Sequence, residues 1–251
     1  MKATASVHSI ETCGTVDGPG IRYILFLAGC PLRCKYCHNC DTWANHVHKQ
    51  MTMDEILVDV KKYKPYFSFT KGGITLSGGE PTLQHEFVTE MFKACKNEGI
   101  HTCLDTSGYC DIDKAEKFLP YTDLVLLDIK QIDSEKHKNL TGVGNEKTLT
   151  FAKYLSEKNI PVWIRYVLVP GYSDDKKDVE KLCQFLSTLD NVKKIEILPY
   201  HQMGVSKWEQ LDMEYQLKDV EPPTRENLKG VKEIFFKYNL PILDEDRKKA
   251  V

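Results

Sequence analysis

The chain has 251 residues, enough to bury a sizeable core in one α/β domain. Its 34 Lys and Arg against 36 Asp and Glu leave a net charge near −2, with neither sign gathered into a block, which argues against nucleic acid or an anionic membrane surface as partner. No stretch approaches the roughly 18 apolar residues that span a bilayer, MKATASVHSIETCG at the N-terminus has no signal-like apolar run, and nine cysteines fit metal ligation or redox chemistry in the reducing cytoplasm better than a disulfide framework.

Short β-branched runs alternate with longer helical patterns, without internal repeats. The first predicted strand is residues 21–27 (IRYILFL), followed by a cysteine-rich loop at 29–40. Thr52 with Glu55 three residues on forms a capping-box pattern that opens a helix over 53–63. Next come a strand at 73–77, a helix at 86–98 stopped by Gly99, a strand at 102–105, a helix at 112–118, and a strand at 124–128. The pattern continues with a helix at 146–158, a strand at 162–169, a helix at 175–189, a strand at 194–199 and a helix at 224–238. The repeated β-α order implies parallel strands with right-handed crossovers, hence an α/β partial (β/α)6 barrel forming one domain over residues 1–251.

Unusual polar segments follow each predicted strand: GCPLRCKYCHN, GGEP, DTSG, DIK, PGYSDD and PYH. Parallel strands of a barrel all end on one face, so these segments should meet in one pocket. Within the first of them, Cys30, Cys34 and Cys37 have the spacing C-x3-C-x2-C. Three thiolates on a compact loop would hold a cubane iron–sulfur cluster with one iron open; with His38 or Cys40 as a fourth ligand the same loop would close a zinc site. Spacing alone admits both, and packing as well. Cys95, Cys103 and Cys183 read as small core residues, while Cys13 and Cys110 sit in loops without a second thiol at ligand spacing.

C-x3-C-x-aromatic-C, with Tyr36 as the aromatic residue, resembles the signature of radical S-adenosylmethionine enzymes. GPGIRYILFLAGCPLRCKYCHN resembles more narrowly the motif of the enzymes that activate glycyl radical enzymes. VDGPG, SGGEP, HTCLDTSG, LLDIKQ, FAKYLSEKNIPVWIRYVLVPGYSDD and PYHQMG carry the likeness almost to the C-terminus. Many such activases carry a ferredoxin-like insertion with further cysteine clusters before the GGE segment; here Cys40 is the sole cysteine between Cys37 and Gly78, so none is expected. The resemblance implies a radical SAM barrel and a [4Fe–4S] cluster on Cys30, Cys34 and Cys37, with S-adenosylmethionine on the open iron. Reductive cleavage to methionine and a 5′-deoxyadenosyl radical would be followed by removal of a hydrogen atom from a glycine Cα of the partner, pyruvate formate-lyase being the partner implied. It also implies reduced flavodoxin or ferredoxin as electron donor; a monomer is the default expectation, which no sequence feature sets.

The resemblance further implies cofactor contacts from Tyr36, Cys37, His38, Gly79, Asp128, Ile129, Lys130 and His201. A monovalent cation would be held at Asp105, Thr106 and Asp128, and Asp17 in VDGPG would touch the partner's glycine segment. Each of these also has a plain reading. A Gly-Gly pair after a strand makes a tight turn, polar residues beyond strands cap helices, and VDGPG forms an open turn. Arg165, within the fifth predicted strand, would either touch a ligand or pair with a carboxylate inside the barrel.

Overall fold

A computed structural model describes residues 3–43 and 48–243. An eight-stranded sheet forms its centre, comprising β1 (Thr4–Gly14), β2 (Arg22–Leu27), β3 (Lys49–Thr52), β4 (Gly73–Gly78), β5 (His101–Thr106), β6 (Leu124–Asp128), β7 (Val162–Leu168) and β8 (Val192–Pro199). Strand order is β3-β1-β2-β4-β5-β6-β7-β8. From β2 to β8 every pairing is parallel; β1 pairs antiparallel with both β2 and β3. The six expected strands are therefore the parallel part, each within two residues of its expected bounds. Among the described residues β8 does not reach β3, and the outer edge of β8 carries only the bridge Ile195↔Ile242, so the barrel is left open along one seam.

The helices are α1 (Met53–Lys61), α2 (Lys64–Thr70), α3 (His85–Asn97), α4 (Ile112–Phe118), α5 (Ser134–Thr141), α6 (Glu146–Glu157), α7 (Lys176–Leu186), α8 (Val205–Gln210) and α9 (Arg225–Lys237). The capping box expected at Thr52 is present: its hydroxyl accepts from the Glu55 amide while the Glu55 carboxylate accepts from the Thr52 amide. Gly99 ends the α3 segment with φ +68°, a conformation that costs glycine little. Beyond the predicted pattern are β1, β3, α2, α5 and α8. β1 alternates half-buried and exposed side chains along its outer half and β3 reads KQMT, so neither has the apolar content that marks a buried strand.

The main apolar core lies between the sheet and its helices, with Leu25, Leu76, Leu104, Leu127 and Ile164 from the strands meeting Phe92, Phe151, Leu182 and Phe235 from the helices. A second cluster of Tyr36, Cys40, Leu140, Val169, Tyr200, Trp208, Tyr215 and Leu217 packs behind the cysteine-rich loop. Because side chains alternate across a strand, the opposite parity points into the barrel. There Cys103, Leu124 and Leu126 form a small apolar layer, and Ser77, Asp105, Asp128 and Arg165 stand above it toward the C-terminal strand ends.

Candidate active site

A cavity of about 260 Å³ opens at the C-terminal ends of the parallel strands. Every candidate cluster, cofactor, cation and partner residue named in the sequence lines it except Cys40, Asp17 and Ile129. Ile129 is fully buried in the main core, and its amide donates to the Arg165 carbonyl (3.2 Å), so any contact with a bound molecule would come from its backbone. The expected convergence holds for five of the six polar segments. PGYSDD is the exception: its Gly171, Tyr172, Asp174 and Asp175 line a separate hollow with Lys136 and Asn139 of α5, and Asp175 caps α7.

The loop bearing Cys30, Cys34 and Cys37 is fixed from outside. Its Arg33 and Lys35 amides donate to the carbonyls of Thr141 (2.7 Å) and Leu140 (3.0 Å) at the end of α5. The Trp208 indole on α8 donates to the Cys37 carbonyl (2.8 Å) while packing edge-on against Trp43 and Tyr215. The Arg33 guanidinium bonds the Cys30 carbonyl (2.6 Å) and lies over Trp43. Cys34 is buried and Cys30 and Cys37 are half-buried. Burial pushes the Cys30 and Cys34 thiols up to about 12 and raises Cys37 as well, so their thiolate forms call for a bound cation.

Among the described residues no three His, Cys, Asp or Glu side chains lie close enough to share a single metal ion. The two candidate fourth ligands are also engaged elsewhere. His38 donates from Nε2 to the His201 carbonyl (3.1 Å), its ring 4.3 Å from that of His201, and Gly204 packs so tightly on it that a Cβ would stand 2.7 Å from the imidazole. Cys40 is buried in the second apolar cluster.

Facing the thiols is a group of charges. Lys130 pairs with Asp128 (3.0 Å), with its ammonium 5.8 Å from the Tyr36 ring centre. Burial works against the Lys130 charge, but Asp128 and its neighbours outweigh it and hold the pKa well above the ordinary lysine value. Burial likewise disfavours the Asp128 carboxylate, yet Lys130 and Arg165 hold its pKa below normal. Asp105 takes a hydrogen bond from Ser77 (2.6 Å) and, mainly through burial, is pushed up to about 6. The buried Tyr36 hydroxyl has no hydrogen-bond partner, which is costly unless a bound molecule supplies one. An adjacent ammonium and carboxylates match the two ends of an amino-acid zwitterion, and the thiols match an iron–sulfur cluster.

The GGEP segment performs a structural task that its sequence left unassigned. The buried Glu80 carboxylate accepts from the Thr82 amide and hydroxyl (3.1 and 2.8 Å), the Thr106 hydroxyl (2.6 Å) and the Ser107 amide and hydroxyl (2.9 and 2.5 Å), tying the ends of β4 and β5 together. Gly79 borders the cavity, but its lack of a side chain is demanded by packing: a Cβ there would lie 2.2 Å from the Gly29 carbonyl oxygen. Arg165 pairs with carboxylates, reaching Asp17 (3.3 Å), Asp105 (3.6 Å) and Asp128 (3.6 Å). The missed contributors are Glu80, Trp208 and the end of α5; the DS…TG boundary of residues 133–142 was a readable capping signal for α5.

The radical SAM superfamily model matches residues 24–186. Pyruvate formate-lyase 1-activating enzyme of Escherichia coli K12 is 49% identical over 245 residues, covering 97% of this chain and 100% of that protein. Pyruvate formate-lyase-activating enzyme of Staphylococcus aureus USA300 is 53% identical over 244 residues, covering 94% and 97%. A solved domain of pyruvate-formate lyase-activating enzyme from Bacteroides vulgatus superposes with a TM-score of 0.59 at 28% identity, covering 68% of this chain and 98% of that one. Streptococcus suis SuiB bound to S-adenosylmethionine shares the fold, with a TM-score of 0.64 at 19% identity over 86% of this chain and 48% of that one. With its three-cysteine loop, charged strand ends and near full-length likeness, this chain belongs to the radical SAM superfamily and, within it, to the family of pyruvate formate-lyase-activating enzymes.

Proposed function

We propose that this chain activates pyruvate formate-lyase by generating a glycyl radical on it, with Cys30, Cys34 and Cys37 holding a [4Fe–4S] cluster and the charged strand ends holding S-adenosylmethionine. The observation that carries the reading is the placement of three thiols on one pinned loop opposite the Asp128–Lys130 pair in a single cavity. When bound, the reduced cluster and S-adenosylmethionine supply the chemistry: an electron entering the sulfonium breaks a carbon–sulfur bond, yielding methionine and a 5′-deoxyadenosyl radical that takes a hydrogen atom from a glycine Cα.

The residues position and enclose. Lys130 offers its ammonium to the methionyl carboxylate, and Asp105 and Asp128, with Thr106, offer oxygen to a monovalent cation there, hard ligands for a hard ion. Burial is the chief cause of the raised Asp105 pKa and the neighbouring Asp128 adds to it; the cation would offset both by stabilising the carboxylate. Gly79 brings backbone to the methionyl end, Tyr36 offers its unpartnered hydroxyl, and the paired rings of His38 and His201, with the Ile129 backbone, face the adenosyl end. The buried walls keep water from the reacting atoms. Asp17 lies in the loop beside a second opening, a position that supports a role in meeting the partner's glycine segment. Reduced flavodoxin or ferredoxin is the electron donor and the chain works as a monomeric single domain without a ferredoxin-like insertion. A cytoplasmic setting accords with nine free thiols; no helix among the described residues is long and apolar enough to cross a membrane.

Anaerobic reconstitution tests the ligand assignment. Wild-type protein and Cys40→Ala should bind iron and sulfide and form 5′-deoxyadenosine on reduction with S-adenosylmethionine, whereas Cys34→Ala should do neither. Full deoxyadenosine formation by Cys34→Ala, or zinc without iron in the wild type, would reject it.

A further inference from the structure

A second cavity, of about 700 Å³, lies between the loop of residues 15–20 and the strands β7 and β8. Arg165 and Leu198 line both cavities, and of the two only Arg165 is charged. Arg165 projects into the barrel from the middle of β7, opposite Asp128 on β6 and Glu196 on β8. Its Nη1 reaches Asp17 of the second cavity at 3.3 Å and Asp105 of the first at 3.6 Å, while Nε is 3.6 Å from Asp128. None of these has the 2.7–2.9 Å length of a committed guanidinium–carboxylate bond, and the buried Nε makes no hydrogen bond. The other oxygens of the inner carboxylates are engaged, Asp105 by Ser77 and Asp128 by Lys130. One guanidinium is thus shared among three carboxylates on two sides of the barrel.

We infer that Arg165 is a positioning residue that couples the two cavities, so that occupancy of the inner one sets how firmly the Asp17 loop is held for the partner's peptide. This rests on the proposed function above. Positive charge bound at Asp105 and Asp128 weakens their claim on Arg165, and the guanidinium is freed to close on Asp17. The Asp17 carbonyl is already fastened by the Thr75 hydroxyl (2.7 Å), which in turn accepts from the buried Arg22 (2.9 Å), so the loop pivots on a fixed backbone point while its carboxylate answers to Arg165. Linkage makes the effect reciprocal: peptide bound against the loop tightens the inner site by the same factor.

The test uses the anaerobically reconstituted protein and a fluorescein-labelled peptide of the glycine-bearing segment of pyruvate formate-lyase, titrated by anisotropy with and without saturating S-adenosylmethionine. Wild type should bind the peptide at least about fivefold more tightly with S-adenosylmethionine present, the low end of ordinary coupling. Asp17→Asn and Arg165→Met should each bring that ratio to about one, and Arg165→Lys should restore part of it; a purely structural role would lower both affinities and leave the ratio alone. Should Arg165→Met fail to fold, Asp17→Asn, on a loop, decides the matter. A ratio of one in wild type, or an unchanged ratio in Asp17→Asn, overturns the coupling while leaving the proposed function standing. A peptide that binds wild type under neither condition overturns both.

Discussion

The cysteine loop and the strand-end charges form opposite walls of one cavity and are held in place by different means. Asp105, Asp128 and Arg165 point inward because the register of a parallel sheet leaves them no other face: Asp128 lies opposite Arg165 on the neighbouring strand, and Asp105 shares their parity. The cysteine loop has no ladder of its own. Its shape is imposed by main-chain bonds to the end of α5 and by the indole of Trp208. One wall is set by local periodicity and the other by distant, mostly polar segments.

Breaking the strand-end wall should have the largest effect. Glu80→Ala deletes an acceptor shared by five donors and should lower stability by about 3–5 kcal/mol, because several buried amides and hydroxyls are left unsatisfied at about 1–3 kcal/mol each; urea unfolding followed by circular dichroism reads it. Lys130→Met leaves Asp128 with Arg165 alone and should weaken S-adenosylmethionine binding by at least about tenfold, equivalent to about 1.4 kcal/mol, while iron and sulfide content stay near wild type. An unaltered dissociation constant would remove Lys130 from the site.

The loop wall should yield to smaller changes. Trp208→Phe keeps an aromatic ring in the second cluster but removes the donor to the Cys37 carbonyl, a loss of about 1 kcal/mol, and should speed loss of iron to a chelator; unchanged release would mean that the indole bond does not steady the loop. Smaller still is a pH effect through α5. His137 is buried with Nδ1 bonded to the Val143 carbonyl (2.7 Å), and burial, aided by the charge of Lys130, lowers its pKa. Because the folded value lies below the unfolded one, its contribution is whole above about pH 6.5 and is lost as pH falls from there through the folded value. Protection of the Arg33 and Lys35 amides, whose partners lie at the end of α5, measured against the intrinsic exchange rate at each pH, should therefore fall below that pH in wild type but not in His137→Gln.

The same division explains what the sequence disclosed. Six parallel strands and the polar residues at their ends were legible because apolar period-2 runs and the turns after them are local signals. The thiols were legible through their spacing. β1 and β3 were not, because an edge extension needs few apolar residues; α5 was readable from its caps at Asp133 and Gly142, but no local pattern reveals that its end carbonyls, or the indole of the short helix α8, pin the cysteine loop. Gly79, read as bringing backbone to a cofactor or as a tight turn, borders the cavity, and its missing side chain is required by the Gly29 carbonyl. Arg165 stood between two readings, and three nearby carboxylates support ion pairing.

The most direct test of the account is an electron-spin spectrum of pyruvate formate-lyase after anaerobic incubation with this chain, a low-potential reductant and S-adenosylmethionine. A glycyl radical doublet that appears with wild-type protein and is absent with Cys34→Ala is the predicted result. Deoxyadenosine formed without any such signal would contradict the partner assignment, and a signal of full size from Cys34→Ala would contradict the cluster itself.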